Sequence, residues 1–228
     1  MIRPTNTLYQ YKPSPWSSHS LIAEQLRRLP KGSKVLDVGS ATGTLGKLSQ
    51  GLGLLLYGIE PNPDWAELAK EYYIHIQTCM VEDAPIEFLS DYATIVFADI
   101  LEHTPDPEKV LRTVLALQAQ GTKIIASVPN VANIWVRINL LLGRFEYQDR
   151  GILDKTHLRF FTKRTFMQLL ENCGLEISFM KPTPIPLELI SPFFNTTLGF
   201  FIYKIFAKMT MLLPTLLGFQ FVAEARIR

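Results

Sequence analysis

Lys34-Val35-Leu36-Asp37-Val38-Gly39-Ser40-Ala41-Thr42-Gly43 is the stretch whose reading decides the fold. A short apolar run carrying one acid ends in a turn bracketed by two glycines, and a helix is expected from about Thr44. Such a strand–turn–helix lets backbone N–H groups and a helix N-terminus come close to a ligand. Outward from it, Leu54 to Ile59 reads as a second strand ended by Glu60-Pro61. Asn62 caps the next helix, with Pro63 at the first helical position, where its missing N–H costs nothing. A weaker third strand is expected over Ile74 to Val81. A nearly all-apolar fourth over Ala93 to Ile100 suits a strand covered on both faces. Asp106-Pro107 repeats the cap-plus-proline start for a helix through Gln118, and Lys123 to Val128 is the fifth strand, halted by Pro129-Asn130.

Beyond that point the pattern is less regular. Ile134 to Leu142 reads as a helix, Gly143 to Phe161 as a polar loop, and Thr162 to Cys173 as a helix stopped by Gly174. Leu175 to Met180 is a further strand, Pro182, Pro184 and Pro186 interrupt the chain, and Phe219 to Ile227 alternates as a final strand. Seven strands alternating with helices predict an α/β, open, doubly wound sheet. Residues 1–33 form an N-terminal arm and helix, in which Tyr9, Tyr11 and Trp16 would suit a lid, and 34–228 form one domain. Within it, 134–162 are an acceptor-side insertion and 185–218 an apolar helical cover.

Composition narrows the class. The chain has 228 residues, a formal charge of +2, 47% hydrophobic and 19% charged residues, enough for one α/β domain and too apolar for a disordered tail. The weak basic excess argues against a nucleic-acid partner. Cys79 and Cys173 are too few for a disulfide framework, and the start, Met1 to Asn6, lacks the apolar core of a signal peptide, so a cytoplasmic location is expected. Charge is unevenly spread: Glu60 to Glu108 holds twelve acids and one lysine, whereas Arg137 to Arg164 holds seven basic residues and three acids.

The turn after the first strand fits neither common phosphate-binding pattern. G-x-G-x-x-G fails at Ala41 and Thr44, and the phosphate loop fails at Ala41 and Leu48. What fits is D-x-G-x-(G/A)-x-G. Its acid puts negative charge where a phosphate site avoids it, which favours a cationic ligand.

With this turn the sequence resembles the class I S-adenosylmethionine-dependent methyltransferases, over roughly Tyr9 to Met180. The resemblance implies strand order 3-2-1-4-5-7-6 with the last strand antiparallel. It implies that Asp37, Gly39, Ser40, Ala41 and Gly43 cradle the methionine part of S-adenosyl-L-methionine or its product S-adenosyl-L-homocysteine. Glu60, 23 residues after Asp37, would with Pro61 meet the ribose hydroxyls, and Asp83 and Ala84 would lie by the adenine. Ala41 replaces the commoner glycine. The fourth-strand motif matches as Asp99-Ile100-Leu101-Glu102-His103. There the chain resembles the ubiquinone-biosynthesis O-methyltransferases, whose corresponding acids and His can hold a divalent cation, here at Asp99, Glu102 and His103, and Asp99 also counts among the expected cofactor-binding residues. The same residues also admit a structural reading, in which Gly39 and Gly43 make a tight turn and Glu60, Glu102 and His103 cap and pack.

Methyl transfer needs alignment, exclusion of water and often removal of a proton. His103, just past the fourth strand, is one candidate base, because an unperturbed imidazole titrates near neutrality. Gly151-Ile152-Leu153-Asp154-Lys155-Thr156-His157-Leu158-Arg159-Phe160-Phe161-Thr162 resembles a motif of bacterial methyltransferases associated with glycan or cell-envelope biosynthesis. It would hang over the acceptor pocket, with Asp154, His157 as the rival base, and Arg159 to hold an anionic acceptor. A salt-bridged loop docked by Phe160 and Phe161 is the plainer reading. The expected acceptor is a small molecule, a glycan or a lipid-linked compound, methylated at oxygen. A non-catalytic binding module and an NAD-dependent oxidoreductase stay open as alternatives.

Leu189 to Ala223 is apolar, but 15 uncharged residues lie between Glu188 and Lys204 and another 15 between Lys208 and Glu224, short of a span of about 18. Residues 189–218 are expected to cover the acceptor pocket, to lie on the cytoplasmic face of a membrane, or to form a homodimer contact.

Overall fold

The computed structural model describes residues 14–228. The elements run α1 (Ser18–Leu26), β1 (Lys34–Val38), α2 (Thr44–Leu48), β2 (Leu55–Ile59), α3 (Pro63–Ala69), β3 (His75–Gln77), α4 (Ile86–Leu89) and β4 (Thr94–Ala98). They continue as α5 (Pro107–Leu115), β5 (Lys123–Pro129), α6 (Ile134–Leu141), α7 (Lys163–Asn172), β6 (Leu175–Thr183), α8 (Thr197–Leu212), α9 (Pro214–Leu217) and β7 (Gln220–Ile227). One seven-stranded sheet has the order β3-β2-β1-β4-β5-β7-β6. Strands β1 to β5 pair in parallel, and β7 runs antiparallel to both β5 and β6.

The central strands are apolar on both sides because both faces are covered. On β1, Leu36 and Val38 join a core that includes Phe97, Val110 and Phe166, while Val35 joins a second core with Ile22, Leu45 and Ala69. The period of two along a strand sends alternate residues into the two cores. Phe97, Phe166 and Phe221 are fully buried, each contributing about 1.5–3 kcal/mol by removal from water.

At both edges of the sheet the strand boundaries differ from those the pattern implies. The third strand is only His75–Gln77, and Val81–Asp83 is a 3-10 turn, because β3 is an edge strand with little to pair against. Conversely β6 runs through Pro182 to Thr183. It is the opposite edge, where a proline's missing N–H breaks no ladder bond. Tyr9 and Tyr11 lie outside the described residues. Trp16 stacks on Phe200 at 5.4 Å and meets Tyr203 edge-on at 4.7 Å, so this part of the arm packs on α8.

Candidate active site

The turn after β1 is shaped by backbone conformations that glycine favours. Gly39 has φ +80°, and a Cβ there would stand 2.8 Å from Ile100 Cδ1. Gly43 has φ +84°, and a Cβ would stand 2.9 Å from the Ala69 Cα. Ala41 adopts φ +46°, a left-handed conformation costing an L residue about 1–2 kcal/mol. The alanine thus sits strained at the position where the resembling family has glycine.

Asp37 ends up buried beneath this turn. The Tyr73 hydroxyl donates to Asp37 Oδ2 at 2.6 Å and accepts from the Gly46 N–H at 3.1 Å. Asp37 Oδ1 is buried with no hydrogen-bond partner, as is Ser40 Oγ. Burial pushes the Asp37 carboxyl up to about 7; the Tyr73 bond works against this and the nearby Glu60 adds to it. Glu60, at the end of β2, is buried too, and burial raises its carboxyl. Its oxygens accept from the Ala41 N–H at 2.8 Å and the Asn62 N–H at 2.9 Å, tying the first turn to the second. Pro61 and Asp83 are exposed beside this edge, with Ala84 half-buried. Two buried acids and an orphaned carboxylate oxygen suit a cationic ligand, which would return the charge that burial disfavours.

A second group of ionisable residues forms after β4. Asp99, at φ +54°, accepts from the Ser127 hydroxyl at 2.6 Å and from the Ser18 hydroxyl at 3.0 Å. Glu102 and His103 follow on a 3-10 turn, Leu101–His103. The loop after α6 folds back here, because the Leu158 and Arg159 N–H groups both donate to the Glu102 carbonyl, at 2.8 and 3.0 Å. That clamp brings His157 against His103, with ring centroids 4.8 Å apart. Glu102 is 1% exposed, its Oε2 has no partner, and burial, then the charge of Asp99, pushes its carboxyl well up. His157 Nδ1 lies 3.0 Å from the Ile152 carbonyl, which only accepts, so Nδ1 carries the proton and Nε2 keeps a lone pair. Burial, then the neighbouring His103, lowers the His157 imidazole below its ordinary value.

One atom from each of Glu102, His103 and His157 lies within 4.8 Å of the others, a grouping that could hold a metal ion. Asp99 is outside it, its oxygens engaged by Ser18 and Ser127, so the ligand set differs from the Asp99, Glu102 and His103 expected above. Arg159 differs as well: Nε and Nη2 both donate to the Pro105 carbonyl, which fastens the loop and uses the fork that was expected to face an anion. Asp154 caps a local turn, accepting from the Thr156 N–H and hydroxyl. Phe160 packs with Val136, Ile152 and Leu153 under the loop, and Phe161 joins the main core.

The sequence reading missed four residues that shape the site. Tyr73 belongs to no motif. Ser127 was detectable as a hydroxyl inside an otherwise apolar strand. Asn130 and Asn133, fully buried, donate to the carbonyls of Thr215, Leu217 and Gly218 and so fix α9 beside α6; only the break after Pro129 hinted at them.

A family model described as a methyltransferase domain matches residues 11–178. The chain belongs to the methyltransferase-domain family. Among similar proteins is a ubiquinone biosynthesis O-methyltransferase of Haemophilus ducreyi, 31% identical over 163 residues, 66% of this chain and 68% of that one. Another of that name, from Xanthomonas axonopodis pv. citri, is 28% identical over 156 residues, and the match spans 65% of this chain and 64% of the relative's length. A crystal structure of magnesium protoporphyrin IX methyltransferase from Synechocystis PCC 6803 with bound S-adenosylmethionine superposes with a TM-score of 0.56 at 15% identity, covering 92% of this chain and 78% of that one. The sheet order and fold of this methyltransferase domain are those of that enzyme class.

Proposed function

We propose that the chain is an S-adenosylmethionine-dependent O-methyltransferase acting on a small molecule, with His157 taking the acceptor proton. The observation that carries the reading is the buried His157 imidazole, grouped with Glu102 and His103 at the carboxyl edge of the sheet, its Nδ1 held by the Ile152 carbonyl and its protonation disfavoured by burial. The cofactor would be held by the Gly39–Gly43 turn, Asp37 and Glu60, and when bound it supplies a methyl group on an electrophilic sulfonium, leaving as a neutral thioether. The protein's own part is alignment and proton removal. Ile100, packed against Gly39, links the cofactor turn to the Glu102–His103 motif. A hydroxyl acceptor seated near His157 gives its proton to Nε2 as oxygen forms its new bond to carbon. The relatives named for ubiquinone biosynthesis support a small-molecule oxygen acceptor over a glycan.

A second reading rests on the Glu102, His103 and His157 grouping. Two imidazoles and one carboxylate suit an ion such as zinc or manganese better than magnesium, which prefers oxygen ligands. The two readings compete for the same Nε2 lone pair.

Calorimetry with S-adenosylhomocysteine and separately with NAD tests the cofactor assignment, and binding of the first alone is expected. Binding of NAD alone would overturn it. A panel of phenolic and sugar acceptors with labelled methyl donor then tests the acceptor class. Full activity in chelator leaves Nε2 to the proton; loss restored by manganese gives it to a metal.

A further inference from the structure

We infer that α6 and α8 form one docking face for the surface of an anionic lipid bilayer. Helix α8 is apolar on nearly every side, the pattern of a buried helix, yet only Gly199, Tyr203, Ala207 and Thr210 are buried. Its outer side presents Phe201, Ile205 and Leu212, the last 80% exposed. Helix α6 repeats the arrangement: Val136 packs inward, and Leu141 is 86% exposed. The N-cap of α6, Asn133, donates to the Gly218 carbonyl at 2.9 Å, and Gly218 ends α9, the short helix that follows α8.

Charge selects the occupant. Asn130 to Phe145 carries Arg137 and Arg144 and no acid; Leu189 to Ala223 carries Lys204 and Lys208 and no acid. A two-fold contact with another copy would set these four cations against their own images, with no carboxylate in either segment to pair them. Anionic headgroups pair them instead, while lysine stems lie along the apolar surface. Among the described residues no helix is long and apolar enough to cross a membrane. With 16 residues, α8 is about 24 Å long against a hydrocarbon core of about 30 Å, so it lies in the plane of the surface.

The full chain is floated with phosphatidylcholine vesicles, with or without about 30 mol% phosphatidylglycerol. Binding to the anionic vesicles several-fold above the neutral ones, weakened by salt, is expected. Lys204→Glu with Lys208→Glu should lower binding to the neutral level, and Phe201→Ser with Leu212→Ser should abolish both. S-adenosylhomocysteine binding by each variant, read by calorimetry, reports an intact fold separately from lipid. Equal binding to both vesicles, or to neither, overturns the inference. So does a dimer by sedimentation that the Leu212→Ser variant dissolves, which gives the face to a second copy.

Discussion

Asp37 and Glu102 are two buried carboxyls at the carboxyl edge of neighbouring strands, β1 and β4, and each leaves one oxygen unpartnered. Their surroundings divide the labour. Asp37 is gripped by a tyrosine and sits beside a second acid, an environment that lacks a positive charge and gains from receiving one. Glu102 sits beside two imidazoles and Asp99, an environment already equipped to receive a proton or an ion. Burial raises both groups, so burial alone does not distinguish a binding acid from a catalytic neighbourhood; the partner does.

The largest effect should come from the Glu102 side. His157→Ala should lower kcat/KM by about 10²–10⁴-fold, the usual contribution of a positioned base, with S-adenosylhomocysteine affinity unchanged by calorimetry. A matching loss of cofactor affinity would erase the separation between the two acids.

Next, Asp37→Asn should weaken cofactor binding about 10–100-fold at pH 8, the scale of one charge-assisted bond, with little change at pH 6. The Asp37 carboxyl, at about 7 in the free protein, is already mostly neutral there. Stability has a definite sign. A carboxyl raised from 3.8 to about 7 on folding favours the folded state fully below 3.8, and that stability is lost as pH rises toward 7. Urea unfolding of Asp37→Asn should therefore show a flatter slope over this window than the parent.

Tyr73→Phe comes third. It removes the donor to Asp37 Oδ2 and the acceptor for Gly46, at a cost of about 1–3 kcal/mol in urea unfolding. It should also move the pH midpoint of cofactor binding upward, since the bond that lowers Asp37 is gone. Smallest is Ala41→Gly, expected to stabilise by about 1 kcal/mol by relieving the left-handed alanine. A lower Tm would show that the methyl group is needed in the turn.

The placement of the residues proposed for the cofactor side was legible because they lie within one strand–turn–helix or at strand ends, where local pattern fixes position. Asp37, Gly39 and Gly43 are of this kind. The acceptor side depends on long-range closure. His103 and His157 were each identifiable as a candidate base, but their meeting depends on two N–H groups donating to the Glu102 carbonyl, which no spacing announces. Arg159 was expected to face a ligand because a guanidinium in a polar loop suggests one, whereas the structure sets Nε and Nη2 on the Pro105 carbonyl of a distant turn. Proline at 182 looked like a stop because edge position is a property of the sheet and not of the strand.

The place of β7 has a consequence for synthesis. Strand β6 reaches the sheet only through β7, the last of the seven strands in chain order. While the nascent chain leaves the ribosome, β5 therefore keeps a bare edge and β6 has no ladder until Gln220–Ile227 emerges. Helix α8, with its uncovered apolar side, precedes that closing step, which makes the late intermediate the species most prone to clumping and the one a chaperone would need to shelter.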